Sequence, residues 1–340
     1  MKNVTKILTA VVLCAALFAS QQRVNALGGN AALWPGDEAN IAAFPAQVNN
    51  HSYLQVNGLG TYDDGTGTDT DTSDAGSVSL VTQKDGTTWG FNYGGMYAND
   101  WMSMHWGNGD IGVMVGLQST TGANPDGSED HSDMSVSFGQ VFGFGELGAH
   151  LTVPGADDDA NTSVDESAMK LGVDFRRATS AFLFDNMVVS VDDLMADDLM
   201  LGVDLFTHMD AGGADVVFGW GAHYNATAAV IDDVATTDVN ESHVGTIVQT
   251  ATIGVEANMT DWATLRLGYN WSHELTCDNL TGDACGENSD EFALGLGFNW
   301  GGLTADYSIS SSLLQDPIGT ITGYSAGALT DHGITLTYSF

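Results

Sequence analysis

The sequence predicts an all-β fold, a transmembrane antiparallel β-barrel of about 16 strands. Three observations predict it. Apolar residues recur at every second position in run after run, tight turns alternate with longer acidic loops, and the chain ends on an aromatic residue. Alternation with a period of two is typical of a strand with one apolar face. Fourteen strands are the alternative, if the runs near Ser77 and Phe182 are not strands.

The closing run shows the pattern most clearly. Ile334, Leu336, Tyr338 and Phe340 fall on one face of a strand, and small or polar residues fall on the other. Upstream, Lys84-Asp85-Gly86 has the Asp-Gly sequence of a two-residue hairpin, and another turn is expected near Arg176-Arg177. Because the number of runs is even, both chain ends lie on the side of the short turns, which is the periplasmic side in bacterial barrels.

The polar face of the runs indicates a barrel interior. It is dominated by Gly, Ser, Thr and Asn, whereas the apolar face suits lipid, and closure removes the open edges that a sheet cannot leave in a membrane. Charged residues of this face are predicted to line the pore, where they either set a transverse field that influences which ions pass or form ion pairs that fill the lumen. They are Glu146, Lys170, Asp174, Arg176, Asp204, Glu256, Arg266 and Asp306.

Three segments are predicted along the chain. Residues 1–26 form a signal peptide, because Lys2 and Lys6 precede an apolar stretch that is too short to span a bilayer and Val24-Asn25-Ala26 fits the small-x-small cleavage rule. Residues 27–50 form a periplasmic or plug-like segment with one or two helical turns that end at Pro45. Residues 51–340 form the barrel.

The charge of the chain excludes one class of partner. It has 8 basic and 44 acidic residues, and phosphate contacts need Lys and Arg, so no nucleic acid is expected. No resident cofactor is expected either. The acidic loop of residues 61–74 is either a Ca²⁺ site or a solvated loop that reflects a saline habitat. Its candidate ligands are Asp63, Asp64, Asp69, Asp71 and Asp74.

Two cysteines would remain after processing, Cys277 and Cys285, both in one polar stretch. In an exported chain, this pair predicts a disulfide that closes a loop. The histidines are scattered and no Gly-x-Ser-x-Gly sequence is present, so the chain is not expected to be an enzyme.

The chain resembles Gram-negative outer-membrane β-barrels of the porin-like type. Residues 40–49, with Phe44-Pro45-Ala46 at their centre, are similar to the Asn-Pro-Ala segment before the first strand of fatty-acid-transporter-type barrels, although Phe44 replaces the Asn and those barrels usually have 14 strands. The resemblance implies an outer-membrane location, contact with lipid, and insertion machinery that reads Tyr338 and Phe340 as a signal. It is also compatible with a homo-oligomer.

These patterns favour a passive or semi-selective channel for small solutes that prefers cations, because the loops are acidic and the inner face is polar. Two alternatives remain open. The barrel is a non-conducting structural, adhesion or secretion-partner platform if the segment of residues 27–50 plugs it. It is an uptake channel for hydrophobic compounds if Met200, Phe206 and Val217, which share the inner face, form an apolar pocket.

Overall fold

The structure, a computed structural model, describes residues 20–59, 76–96, 99–121, 130–155, 169–194, 199–231, 240–275, 288–309 and 332–340. Its strands are β1 (Tyr53–Leu59), β2 (Ser77–Lys84), β3 (Thr87–Met96), β4 (Asn99–Asn108), β5 (Ile111–Thr121), β6 (Asp130–Phe142), β7 (Gly145–Val153), β8 (Lys170–Ala181), β9 (Phe184–Asp192), β10 (Met200–Asp210), β11 (Ala214–Ile231), β12 (Asn240–Thr260), β13 (Ala263–Glu274), β14 (Asn288–Trp300), β15 (Leu303–Ile309) and β16 (His332–Ser339). They form one closed barrel in which β1 pairs with β16 and all neighbours are antiparallel.

The predicted barrel of about 16 strands is confirmed. Both runs that the alternative of 14 strands would have removed are strands, β2 and β9. The turn expected near Arg176-Arg177 was wrong, because β8 continues to Ala181 and the chain turns at Phe182, which has a positive φ of 57°. Arg176 lies in the strand because its side chain is paired inside the barrel with Glu146.

The tight turns lie together at one end of the barrel. In the hairpin between β2 and β3, Asp85 and Gly86 have φ values of 53° and 77°, the left-handed conformations that this two-residue turn needs and that Asp and Gly adopt readily. Phe340 lies at the same end, because its backbone N–H donates to the Ser52 carbonyl and the neighbouring Ser339 N–H donates to Gly302.

The outer face of the barrel is apolar and exposed. On β3, Trp89, Phe91 and Tyr93 are exposed at alternate positions, whereas Gly90 lies against His105 on the inner side. Aromatic rings form stacked pairs near the short-turn end, such as Trp262 with Phe298 at 6.1 Å between centroids. An apolar outer band with aromatic residues at its rim is the surface that a transmembrane barrel presents to lipid.

Residues 20–51 lie inside the barrel, and we call them the lumen segment. They contain helix α1 (Gln21–Ala26) and three 3₁₀ helices, Ala31–Leu33, Glu38–Ile41 and Pro45–Asn50. Asp37 caps the second 3₁₀ helix by accepting from the Ala39 N–H, while Pro45 begins the third. Helix α1 packs on β13–β16 and the third 3₁₀ helix on β3–β6. No helix among the described residues is both long enough and apolar enough to cross a membrane.

Candidate functional site in the lumen

Inward-facing glycines allow the lumen segment to lie directly on the barrel wall. A Cβ at Gly148 would overlap the Ala43 carbonyl oxygen, and a Cβ at Gly112 or Gly139 would overlap the backbone of Pro45 or Ala46. On the other side of the lumen, Gly268 contacts the backbone at Leu27 in the same way. These four glycines therefore make room for the backbone of the segment.

A first ion-pair cluster joins the segment to β12, β13 and β15. Arg23 donates to Asp37 of the segment and to Glu256 of the wall, each at 2.8 Å. Arg266 of the wall donates to Glu256 and to Asp306, each at 2.6 Å. Two guanidinium groups thus bridge three carboxylates, and charge-assisted hydrogen bonds of this kind are strong and directional.

A second ion-pair cluster joins the segment to β7 and β8. Arg176 donates to Glu146 at 2.7 Å and to the Asn40 side-chain oxygen at 2.9 Å, and its guanidinium lies 4.3 Å from the centre of the Phe44 ring. Gln47 of the segment donates to the second carboxylate oxygen of Glu146 at 2.6 Å. All of these side chains are buried, so solvent does not screen the pair.

Apolar packing completes the contact. Leu33, Trp34 and Phe44 of the segment form one buried cluster with Phe206 and Val217 of the wall. Of the three residues predicted to form an apolar pocket, Phe206 and Val217 are covered by the segment, and Met200 is exposed and lies outside this cluster. A smaller cluster contains Ile41, Val48, Tyr53 and Val81.

An open cavity of about 480 Å³ lies between the segment and the walls of β1–β7, away from the short turns. Its apolar lining includes Ile41 and Met114. The indole of Trp101 also lines it and lies flat on the wall, because its ring is 2.5 Å from where a Cβ of Gly94 would be. The polar lining consists of amides, hydroxyls, His105 and the carboxylates of Glu38 and Asp133, and none of the lining residues is Lys or Arg. This lining suits a neutral or cationic solute that has one apolar face.

The structure places the eight predicted pore-lining residues on the inner side of the wall. Glu146, Arg176, Glu256, Arg266 and Asp306 belong to the two ion-pair clusters that hold the segment. The other three pair with wall residues: Asp174 with His150 at 3.2 Å, Asp204 with His223 at 3.3 Å, and Lys170 with Asp193 at 3.7 Å.

Some predicted features lie outside the described residues. They are the acidic loop residues Asp63, Asp64, Asp69, Asp71 and Asp74 and the cysteines Cys277 and Cys285. Within the described ranges, no group of three or more His, Cys, Asp or Glu side chains is arranged to hold a metal ion. Sequence patterns had missed Arg23 and Gln47 as wall contacts, since Arg23 was assigned to the signal peptide and nothing in the spacing of the segment indicates its partners.

Docking of the lumen segment should depend on pH. Burial raises the pKa of Asp37 from 3.8 to about 6, against the lowering effect of Arg23, and burial next to Asp37 raises the pKa of Glu38 well above its usual range. A carboxyl group whose pKa is raised in the docked segment binds more protons there than in the free segment. Asp37 and Glu38 therefore weaken docking as the pH rises from their usual pKa values towards the raised ones. His51, whose pKa burial lowers from 6.5 to about 4, has the opposite effect.

Two carboxyl groups outweigh one imidazole, so we expect tighter docking at about pH 5 than at about pH 6.5. Hydrogen exchange of the segment's backbone amides, corrected for the intrinsic pH dependence of exchange, measures this. Glu38→Gln should reduce the difference, since it removes one titrating group and keeps a partner for Gln55, which donates to Glu38 at 2.6 Å. Docking that becomes weaker towards pH 5 would contradict the assignment.

Comparisons with solved structures find barrels of similar architecture. A structure described as the CymD monoaromatic hydrocarbon channel matches at a TM-score of 0.39 and 9% identity, over 94% of this chain and 97% of its own. The translocator domain of the autotransporter NalP from Neisseria meningitidis matches at 0.29 and 13%, over 85% and 86%. An anion-selective porin from Comamonas acidovorans matches at 0.26 and 12%, over 78% and 59%. No protein-family model and no curated protein sequence matches the chain.

These identities are too low to assign the activity of any of these proteins to this chain. The strand arrangement and the contents of the lumen assign the chain to a structural class without these comparisons. The chain is an outer-membrane-type β-barrel of 16 strands. Its own N-terminal residues occupy the lumen and contact the wall around the whole circumference.

Proposed function

We propose that this protein is an outer-membrane channel that the lumen segment keeps closed at rest, and that it admits small neutral or cationic solutes. The observation that carries the proposal is the placement of the segment between the short-turn end and a cavity of about 480 Å³. A solute in the cavity reaches the short-turn end only when the segment moves.

The charges of the lumen support the solute preference. The cavity contains the carboxylates of Glu38 and Asp133 and no Lys or Arg, and the whole chain has a formal net charge of −36. Carboxylates at a pore mouth raise the local concentration of cations and repel anions. Trp101 offers a flat apolar face beside the amides of Asn92 and Gln118, so a solute that has both an apolar face and hydrogen-bonding groups fits best.

Truncation tests the proposal. A chain in which residues 1–19 are joined directly to Ser52 lacks the whole lumen segment, and it should show stable conductance in planar bilayers where the full chain is mostly closed. Under a salt gradient, the reversal potential of the truncated barrel should favour the cation. A shift in gel mobility on heating checks that the truncated barrel has folded.

The same measurement decides the second candidate, a non-conducting barrel that serves as a structural or adhesion platform. The docked segment favours this candidate as well, because it occupies the lumen and contacts the wall on opposite sides. A folded truncated barrel that does not conduct would support the platform and contradict the channel. A reversal potential that favours chloride would contradict only the cation preference.

A further inference from the structure

Residues 20–26, which were assigned to the signal peptide, make buried polar contacts with the rest of the lumen segment and with the barrel wall. Arg23 is 8% exposed and lies between Asp37 and Glu256, with its guanidinium 5.1 Å from the centre of the Trp34 ring. Ser20 caps α1 by accepting from the Arg23 N–H and donates to Asp306 at 2.9 Å. Gln22 is hydrogen-bonded to Ser308 of the wall.

The barrel wall has a glycine where residues 20–26 pack most closely against it. Ala26 is fully buried, and a Cβ at Gly295 would overlap the Cβ of Ala26. Val24 is 1% exposed. The Val24-Asn25-Ala26 sequence that fits the cleavage rule is therefore docked in the barrel as part of α1.

The first ion-pair cluster has two guanidinium groups for its three carboxylates only if these residues remain. Asp37, Glu256 and Asp306 are three carboxylates, of which Asp37 and Asp306 are almost completely buried. Cleavage after Ala26 would remove Arg23 and leave Arg266 as the only guanidinium among them, and an uncompensated buried charge is strongly destabilising. Cleavage before Ser20 keeps Arg23 and adds the new α-ammonium group a few bonds from the Ser20 hydroxyl that contacts Asp306.

We infer that signal peptidase hydrolyses the Ala19–Ser20 bond and that the mature chain begins at Ser20. Hydrolysis consumes one water and leaves a carboxylate on Ala19 and an ammonium group on Ser20. Ala19 supplies the small residue immediately before the cleaved bond, and Leu17 stands at the third position before it, the position that Val24 has in the other candidate site. Arg23 is then a permanent structural group of the lumen, and this inference does not depend on the proposed channel function.

Intact mass spectrometry with N-terminal sequencing of the protein purified from outer membranes tests the inference. We expect a single mature chain that starts at Ser20. An N-terminus at Leu27, or at any residue after Arg23, would overturn it.

Two variants provide an independent readout. Arg23→Met should change the mass of the mature protein by the Arg-to-Met difference and lower its unfolding midpoint in urea. Gln21→Ala is the matched control, because the Gln21 side chain is exposed and, among the residues that the structure describes, donates to Asn25 of the same helix. Its mass should change while its midpoint stays that of the wild type. If the mature Arg23→Met protein has the wild-type mass, Arg23 is discarded and the inference fails.

Discussion

Replacing Gly148 with valine is expected to expel the lumen segment and give the barrel the conductance of the truncated chain. The side chain would occupy the space that the Ala43 carbonyl now fills, and neither the strand backbone nor the segment backbone can rotate away as a side chain would. Overpacking a buried site costs about 1–3 kcal/mol, and backbone on both sides of the overlap puts this site at the upper end. Planar-bilayer recordings measure the open fraction.

Gly143→Val is the matched control for this substitution. Gly143 lies in the turn between β6 and β7, has an ordinary φ, and a Cβ there would meet nothing within 4 Å. The control should remain closed like the wild type. If Gly148→Val is also closed and unfolds at the wild-type denaturant concentration, the segment does not lie on the wall as described.

Replacing Arg176 with methionine should lower the free energy of unfolding by about 3–5 kcal/mol, because it leaves the Glu146 carboxylate buried without its counter-charge. It also removes the hydrogen bond to Asn40 and the contact with the Phe44 ring. Urea unfolding in detergent micelles, followed by tryptophan fluorescence, measures the change.

The next residue in the chain provides the control for Arg176. Arg177 is exposed on the outer side, and within the described ranges its side chain donates to the neighbouring Ala178 carbonyl, so Arg177→Met should change stability by no more than about 0.5 kcal/mol. The double substitution Arg176→Met with Glu146→Gln should recover part of the loss, because no unpaired charge remains. Equal effects of the Arg176 and Arg177 substitutions would show that the second ion-pair cluster contributes nothing to stability.

The barrel could be predicted from the sequence because each strand shows a local alternation of apolar and polar residues that does not depend on distant parts of the chain. Trp89, Phe91 and Tyr93 alternate with small residues whatever lies elsewhere in the chain, and Asp85-Gly86 specifies its turn from two residues alone. The same periodicity placed Glu256 and Arg266 on one face, and the structure pairs them across β12 and β13.

The contents of the lumen could not be predicted in the same way. Periodicity shows which face a residue is on and says nothing about what lies opposite it. The glycines of the polar face were therefore expected to line the barrel interior, whereas Gly148 and Gly268 contact the segment backbone. The partners of Arg23 are more than 200 positions away at Glu256, and no local pattern indicates such a contact. The continuous β8 strand at Arg176 was missed for the same reason, since its cause is the long-range partners Glu146 and Asn40.

The seam of the barrel brings three distant parts of the chain to one point. Tyr53 of β1 pairs with Ser339 of β16, and Phe340 is hydrogen-bonded to Ser52, just after the end of the lumen segment. Joining residues so far apart carries the largest loop-closure entropy of any strand pair in the barrel, so this seam is expected to form last during folding. A nascent barrel that is still open between β1 and β16 keeps a lateral gap beside the segment. We therefore expect the segment to enter the lumen before β1 and β16 pair. A chain without β16 would lose both the closure of the barrel wall and the hydrogen bond that Phe340 makes next to the segment.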